Sequence, residues 1–176
     1  MNLVLIGFTS SGKSATGKAL AWARGMRFKD LDKILTNRDR VTKGRRRTCR
    51  EIFKEDGEAA FRRAEVDAIQ SLNNLDNLVL ATGGGAPLSE AARPLLKELG
   101  PVIYLRVEPE EVMRRMARKG MPAFLASDPT IENLRRFWLQ RDPVYTELAD
   151  VIIDSTEGSV HDSVAAINDA LAQQEK

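Results

Sequence analysis

The chain has 176 residues, 43% hydrophobic and 30% charged, with a formal net charge of +2 at pH 7. That length suits one domain with its own core, and the composition excludes a disordered chain. No apolar run reaches the roughly 18–20 residues of a membrane span, the N-terminus lacks the basic-then-apolar pattern of a secretory signal, and Cys49 is the single cysteine, so a reducing compartment, the cytoplasm, is the expectation.

In chain order, NLVLI (residues 2–6) is a short apolar run before a glycine and reads as a buried strand. Residues 13–24 are strong helix formers, with Ala15, Ala19, Leu20 and Ala23 at helical spacing. Residues 56–72 repeat the pattern through Phe61, Ala64, Ala68 and Leu72. NLVLAT (77–82) and PVIYLRV (101–107) read as further buried strands, 108–119 and 131–140 as helices, DVIID (150–154) as a late strand and 160–173 as a closing helix. Strands alternating with helices imply a parallel sheet covered on both faces, an α/β fold. No repeat, linker or composition change divides the chain, so residues 1–176 read as a single domain.

GFTSSGKS (Gly7–Ser14) fits G-x-x-x-x-G-K-[ST], between the first strand and the first helix. Backbone amides from Gly7, Ser10, Ser11, Gly12, Lys13, Ser14 and Ala15 can line a concave loop. Glycine lets that backbone approach phosphate oxygens, and the helix start adds its positive end. Lys13 can reach the β- and γ-phosphates and the Ser14 hydroxyl can ligate Mg²⁺. The loop therefore reads as a cradle for a nucleoside triphosphate with Mg²⁺.

Further stretches indicate the acceptor of the phosphoryl group. KDLD (29–32), GEAAFRRAE (57–65), LATGGGA (80–86) and QRDPVY (140–145), in this order, resemble the shikimate kinase family. The resemblance runs along nearly the whole chain. It implies a three-layer P-loop fold with a five-stranded parallel sheet in order 2-3-1-4-5, a mobile lid at about 116–127 and an acceptor-binding region at about 30–65. It also implies transfer of the ATP γ-phosphoryl group to the 3-hydroxyl of shikimate by a monomer. The implied substrates are small molecules, with neither nucleic acid nor membrane as partner. By position, Asp32 matches the aspartate that binds the acceptor hydroxyls and would orient the attacking oxygen, and Asp30 matches the one near Mg²⁺. Taken as an extended D-x-D, the pair would point the same way. Arg62 and Arg141 match arginines that grip the shikimate carboxylate, a task suited to a planar guanidinium. Glu65, three residues from Arg62 on a helix, could hold that guanidinium, while Arg63 points elsewhere. Gly84 and Gly85 match acceptor contacts. Arg115 matches an arginine stacked on adenine, and Ser155 lies in the loop on the other side of the base.

Two departures leave alternatives open. The family lid usually reads R-P-L-L with its arginine at the transferring phosphate; here Met121 stands in MPAFL (121–125), with Arg118 or Lys119 as nearby substitutes. The segment 37–50, NRDRVTKGRRRTCR, is a basic stretch longer than the family's usual one. It reads as a solvated helix and turn in preference to a nucleic-acid contact, because no aromatic residues interleave. A kinase of the same fold acting on another small hydroxylated acid such as gluconate, or a nucleotide-binding regulator that has lost catalysis, therefore stays possible. Cys49, flanked by arginines that could lower its pKa, and His161 receive no role. Met113, Met116 and Met121 read as packing, and Trp22 and Trp138 as half-buried structure.

Overall fold

The structure is a computed structural model that describes residues 1–174, apart from the side chains of Lys119 and Ala123. Five strands form one parallel sheet in the order β2-β3-β1-β4-β5. They are β1 (Leu3–Ile6), β2 (Arg27–Asp30), β3 (Leu78–Ala81), β4 (Val102–Arg106) and β5 (Val151–Asp154). The central strands β1 and β3 are buried at every residue, which is why they read as continuous apolar runs. Their side chains alternate between two cores. Val4, Ile6, Leu78, Leu80, Val102 and Tyr104 face one, and Leu3, Leu5, Val79, Ile103 and Leu105 face the other, as a two-residue repeat requires. Helices α1 (Lys13–Ala23) and α8 (Val160–Gln174) cover the second face through Leu20, Ala21, Ile167 and Leu171. Helices α2 (Leu31–Lys43), α3 (Cys49–Asp56), α4 (Glu58–Gln70), α5 (Ala92–Leu99), α6 (Pro109–Lys119) and α7 (Ile131–Leu148) build the first face. The architecture and strand order are those implied by the resemblance.

Several expectations need correction. The residues alone revealed four strands. The fifth, β2, reads RFKD and alternates exposed with half-buried positions, so it has no apolar run to announce it. Asp30 and Asp32 are not an extended pair: Asp30 ends β2 as the cap of α2, accepting the Asp32 amide at 3.1 Å, and Asp32 lies in the first turn of α2. Helix α7 continues past residue 140, through Pro143, to Leu148. A mid-helix proline costs about 3 kcal/mol; Tyr145 and Leu148 lie beyond it in the core, and each buried side chain of that size returns roughly 1.5–3 kcal/mol. Trp22 is 88% exposed rather than half-buried, whereas Trp138 is buried and donates its indole N–H to the Val107 carbonyl at 2.8 Å. The methionines pack as expected, Met116 fully buried and Met113 and Met121 against the same core. His161 is exposed.

The basic segment is not a uniformly solvated run. It comprises the second half of α2, a turn at Gly44 and the start of α3, whose cap Thr48 forms a reciprocal capping box with Glu51. Arg47 is buried between the two helices. Its Nε reaches Asp39 at 2.9 Å, and its terminal nitrogens reach Asp56 at 2.9 and 2.7 Å and Glu55 at 2.9 Å; Arg45 also pairs with Glu55. Cys49 departs from expectation in the same region. Burial and the nearby carboxylates, Asp32 foremost, push its pKa up to about 12, opposite to the lowering its arginine neighbours suggest.

Candidate active site

The carboxyl ends of β1, β2 and β3 open onto one cleft of about 240 Å³, lined by Thr9, Ser10, Gly12, Lys13, Ser14, Ala15, Asp30, Asp32, Thr82, Gly83 and Gly84. Parallel sheets place ligands there because the loops leaving neighbouring strands converge. The β1–α1 loop is bent inward by left-handed backbone at Ser10 (φ 64°) and Gly12 (φ 96°). Such geometry turns successive amides toward one concave face, and for serine it is a strained conformation of the kind that clusters at ligand sites. The Lys13 ammonium lies back over the loop, donating to the carbonyls of Gly7 at 2.9 Å and Phe8 at 2.8 Å and to Ser11 Oγ at 3.3 Å.

Beside it, Ser14 Oγ donates to Asp30 Oδ2 at 2.8 Å. One hydroxyl and one carboxylate facing a phosphate cradle are the hard oxygen donors that suit Mg²⁺ completed by phosphate oxygens and water. Asp32 is exposed to the cleft, yet its pKa is raised, first by burial of the carboxyl and then by the charge of Asp30, with Lys13 opposing.

The triple glycine after β3 joins the two sides of the cleft. A methyl group added at Gly83 would stand 2.7 Å from Asp32 Oδ1; at Gly84, 3.1 Å from Thr9 Oγ1 and 3.2 Å from its amide nitrogen; at Gly85, 2.8 Å from a terminal nitrogen of Arg62. Three consecutive residues thus back onto the acidic corner, the phosphate loop and an arginine, and no larger residue fits without displacing one of them. Arg62 is held by Glu65 at 2.6 Å. Glu65 is 1% exposed, and burial raises its pKa against the lowering effect of Arg62. Arg63 is exposed, as its position on α4 predicts.

Arg141 sits on α7 with its guanidinium carbon 4.6 Å from the ring centre of Phe124, 5.2 Å from that of Phe8 and 5.6 Å from that of Phe137. Four residues along the same helix, Tyr145 donates its hydroxyl to the Gly84 carbonyl at 2.6 Å. Its ring is fully buried, and that burial pushes its pKa up to about 12. On the opposite side of the phosphate loop, Arg115 is fixed by Glu111 at 2.6 Å, the Ser11 carbonyl at 3.3 Å and the Ser155 carbonyl at 2.8 Å. A second cleft of about 190 Å³ lies there between Arg115, Ser155, Gly158 and the loop residues Ser10 to Gly12.

A family model described as "Shikimate kinase" matches residues 9–172. The chain belongs to the shikimate kinase family. A shikimate kinase of Thiobacillus denitrificans is 41% identical over 159 residues, which is 90% of this chain and 84% of that relative. One from Bordetella avium is 37% identical over 175 residues, 99% of this chain and 80% of the relative. Among solved structures, the shikimate kinase from Acinetobacter baumannii in complex with shikimate superimposes with a TM-score of 0.86 at 33% identity, covering 98% of this chain and 93% of that one.

The residues singled out in the sequence of this shikimate kinase family member fall into two neighbouring groups. Lys13, Ser14, Asp30, Asp32 and Gly84 line one cleft, with Gly85 and Arg62 at its margin. Ser11, Arg115 and Ser155 line the other, Ser10, Gly12 and Ala15 line both, and Arg141 stands apart from the two linings among the rings of Phe8, Phe124 and Phe137. Gly7 supports the loop, its carbonyl taking the Lys13 ammonium. Sequence reasoning assigned nothing to Phe8, Phe124 or Tyr145. The spacing of Arg141 and Tyr145, four apart, was the available signal for one helix face, but the reading ended the helix before either residue.

Proposed function

We propose that the chain transfers the γ-phosphoryl group of ATP to the 3-hydroxyl of shikimate, releasing ADP. The observation that carries this reading is the triple glycine, whose three consecutive residues closely approach Asp32, the phosphate loop and Arg62 in turn. Phosphoryl transfer requires alignment and charge neutralisation more than covalent participation, and this arrangement provides both.

In this reading the loop amides and Lys13 hold the β- and γ-phosphates, Lys13 exchanging its carbonyl partners for phosphate oxygens. Arg115 and the Ser155 loop flank the adenine. Ser14 and Asp30 are the residues that would hold Mg²⁺, which supplies charge neutralisation on the phosphates when bound. On the acceptor side, Arg62 and Arg141 grip the carboxylate, Gly84 and Gly85 contact the ring, and Asp32 accepts the hydrogen bond of the 3-hydroxyl. As that oxygen bonds to the γ-phosphorus and the bond to the ADP oxygen breaks, the hydroxyl proton passes to Asp32. A raised pKa brings a carboxylate closer to a useful base strength. The segment 116–127 serves as a lid that excludes water. Met121, a neutral thioether, brings no charge to it and packs against the core. Arg118 is exposed on the last turn of α6, and the Lys119 side chain lies outside the described residues.

The reading extends to a cytoplasmic monomer without nucleic-acid partners. The internal pairing of Arg45 and Arg47 supports the last of these by leaving less free positive charge on the basic segment. Coupled detection of ADP with Mg²⁺ and ATP, across shikimate, gluconate and no acceptor, tests the assignment. Release well above the ATP-only background with shikimate alone is the expected result. Equal or greater release with gluconate would reassign the acceptor, and background release throughout would mark a binding protein without catalysis.

A further inference from the structure

The Arg141 guanidinium is enclosed by aromatic rings from three different parts of the chain: Phe8 of the phosphate loop, Phe124 of the α6–α7 connection and Phe137 of α7. Phe124 is the hub of the group. Its ring meets Phe8 edge to face at 5.7 Å and 86°, meets Phe137 at 5.0 Å and 69°, and lies nearest to the guanidinium. The connection is seated at this point, because Leu125 next to Phe124 is fully buried. Phe8, 1% exposed, carries the carbonyl that accepts the Lys13 ammonium. A single ring therefore touches the arginine assigned to the acceptor carboxylate, a phosphate-loop residue and the helix that bears the arginine.

We propose that Phe124 is the positioning residue that couples recognition of the acceptor's carboxylate at Arg141 to docking of the α6–α7 connection over the phosphate loop. This inference rests on the acceptor reading given above. A guanidinium packed among three rings, with the Tyr145 hydroxyl also beside it, has few alternative rotamers to lose when a carboxylate binds. Phe124 is the nearest of the three rings, so unseating it would loosen the restraint on Arg141. Binding of a carboxylate, which selects the restrained arginine, accordingly favours the seated connection. The favour is reciprocal by linkage: a seated connection binds acidic acceptors better and stands over the loop that holds ATP. The missing lid arginine acquires a context here, since the connection engages the site through an aromatic ring instead of a charge. A neutral acceptor of the same shape would leave Arg141 without its partner and the docking unassisted.

The test compares wild type with Phe124→Leu, which keeps an apolar side chain without the aromatic face, and Phe124→Tyr, which keeps the face. Three quantities are read: the shikimate KM, the factor by which shikimate tightens binding of a non-hydrolysable ATP analogue, and the ratio of ADP released to shikimate 3-phosphate formed. Phe124→Leu is expected to raise the shikimate KM roughly three- to thirty-fold, the range of a cation–π contact. It should also bring the tightening factor close to one and raise the product ratio above one as water enters, while affinity for the analogue alone stays within about two-fold. Phe124→Tyr should restore all three, and methyl shikimate should show no tightening even with wild type. The proposal is overturned if Phe124→Leu keeps the wild-type tightening factor, or if it weakens both ligands equally with a lowered melting temperature, the signature of a purely structural ring. If wild type forms no shikimate 3-phosphate, the acceptor reading itself falls and the coupling falls with it.

Discussion

Two charged regions of this molecule lie at opposite ends of α2 and have been built for opposite purposes. At its N-terminal end, Asp32 sits with Asp30 facing Lys13 and the glycine loop, and its pKa is raised by burial. Along its second half and the neighbouring α3, Asp39 and Asp56 clasp the buried Arg47, whose hydrogen bonds hold both carboxyls below their ordinary range. The first region keeps a carboxylate less comfortable than it would be in water, which suits the proton-accepting role proposed for Asp32. The second pairs Arg47 with Asp39, Glu55 and Asp56 and so ties two helices together. Charge density alone does not separate a site from a scaffold; here the two regions differ in the direction of their pKa shifts and in their pairing.

The largest effects that would break the comparison lie in the cleft. Asp32→Asn should lower kcat by about 10²–10⁴-fold, the usual range for removal of a general base, with an unchanged or slightly raised melting temperature because a disfavoured charge is gone. Activity within a few-fold of wild type would remove Asp32 from catalysis. Next, Arg62→Lys and Arg141→Lys should each raise the shikimate KM about 10- to 100-fold with little effect on the ATP KM. That range corresponds to a charged hydrogen bond of about 1.5–3 kcal/mol, and steady-state kinetics with each substrate varied will separate the two constants.

The α2–α3 corner should behave in the reverse manner. Arg47→Ala leaves three carboxylates facing one another around a vacated buried site, so the melting temperature should fall by several degrees. The kcat/KM of the molecules that remain folded should stay near wild type. A melting curve together with an activity titration at 15 °C would separate these outcomes, and a selective loss of activity would give the basic segment a role in the site.

Acid titration sharpens the same contrast. Because the folded pKa of Asp32 is raised, its active carboxylate is lost as pH falls through a value above 3.8. The depressed Asp39 and Asp56 contribute stability that is present above their unfolded pKa and is lost only as pH falls through their lower folded values. Activity should therefore fail at a higher pH than the fold does, and Asp32→Asn should erase the acid limb of the residual kcat/KM profile. Coincident loss of activity and structure would contradict the assignment. The smallest expected effect is that of Tyr145→Phe, which removes one hydrogen bond to Gly84 and should raise the shikimate KM about two- to ten-fold.

What could be read in advance follows the same division. The phosphate loop was legible because its chemistry is local: Gly12, Lys13 and Ser14 act through backbone shape and sequence spacing. Asp32, Arg62 and Arg141 came from family resemblance, since nothing in their own neighbourhoods distinguishes them from surface charges. Arg47 was misread for the same reason, because its acidic partners lie 8 and 9 residues away on two different helices and meet it only after folding. Strand β2 escaped notice because an edge strand needs no apolar run, and the end of α7 because Pro143 looks like a stop until Tyr145 is seen in the core. The aromatic enclosure of Arg141 joins residues 8, 124 and 137, a separation that no local pattern reports.

A crystal structure with shikimate and ADP bound is the most direct test of the claim that the glycine loop presses an acceptor pocket against the phosphate cradle. The shikimate carboxylate should lie on Arg62 and Arg141, with its 3-hydroxyl on Asp32 and directed toward the terminal phosphate of ADP in the loop. Shikimate bound elsewhere, or bound with its carboxylate on Asp32's side and its 3-hydroxyl away from the loop, would contradict it.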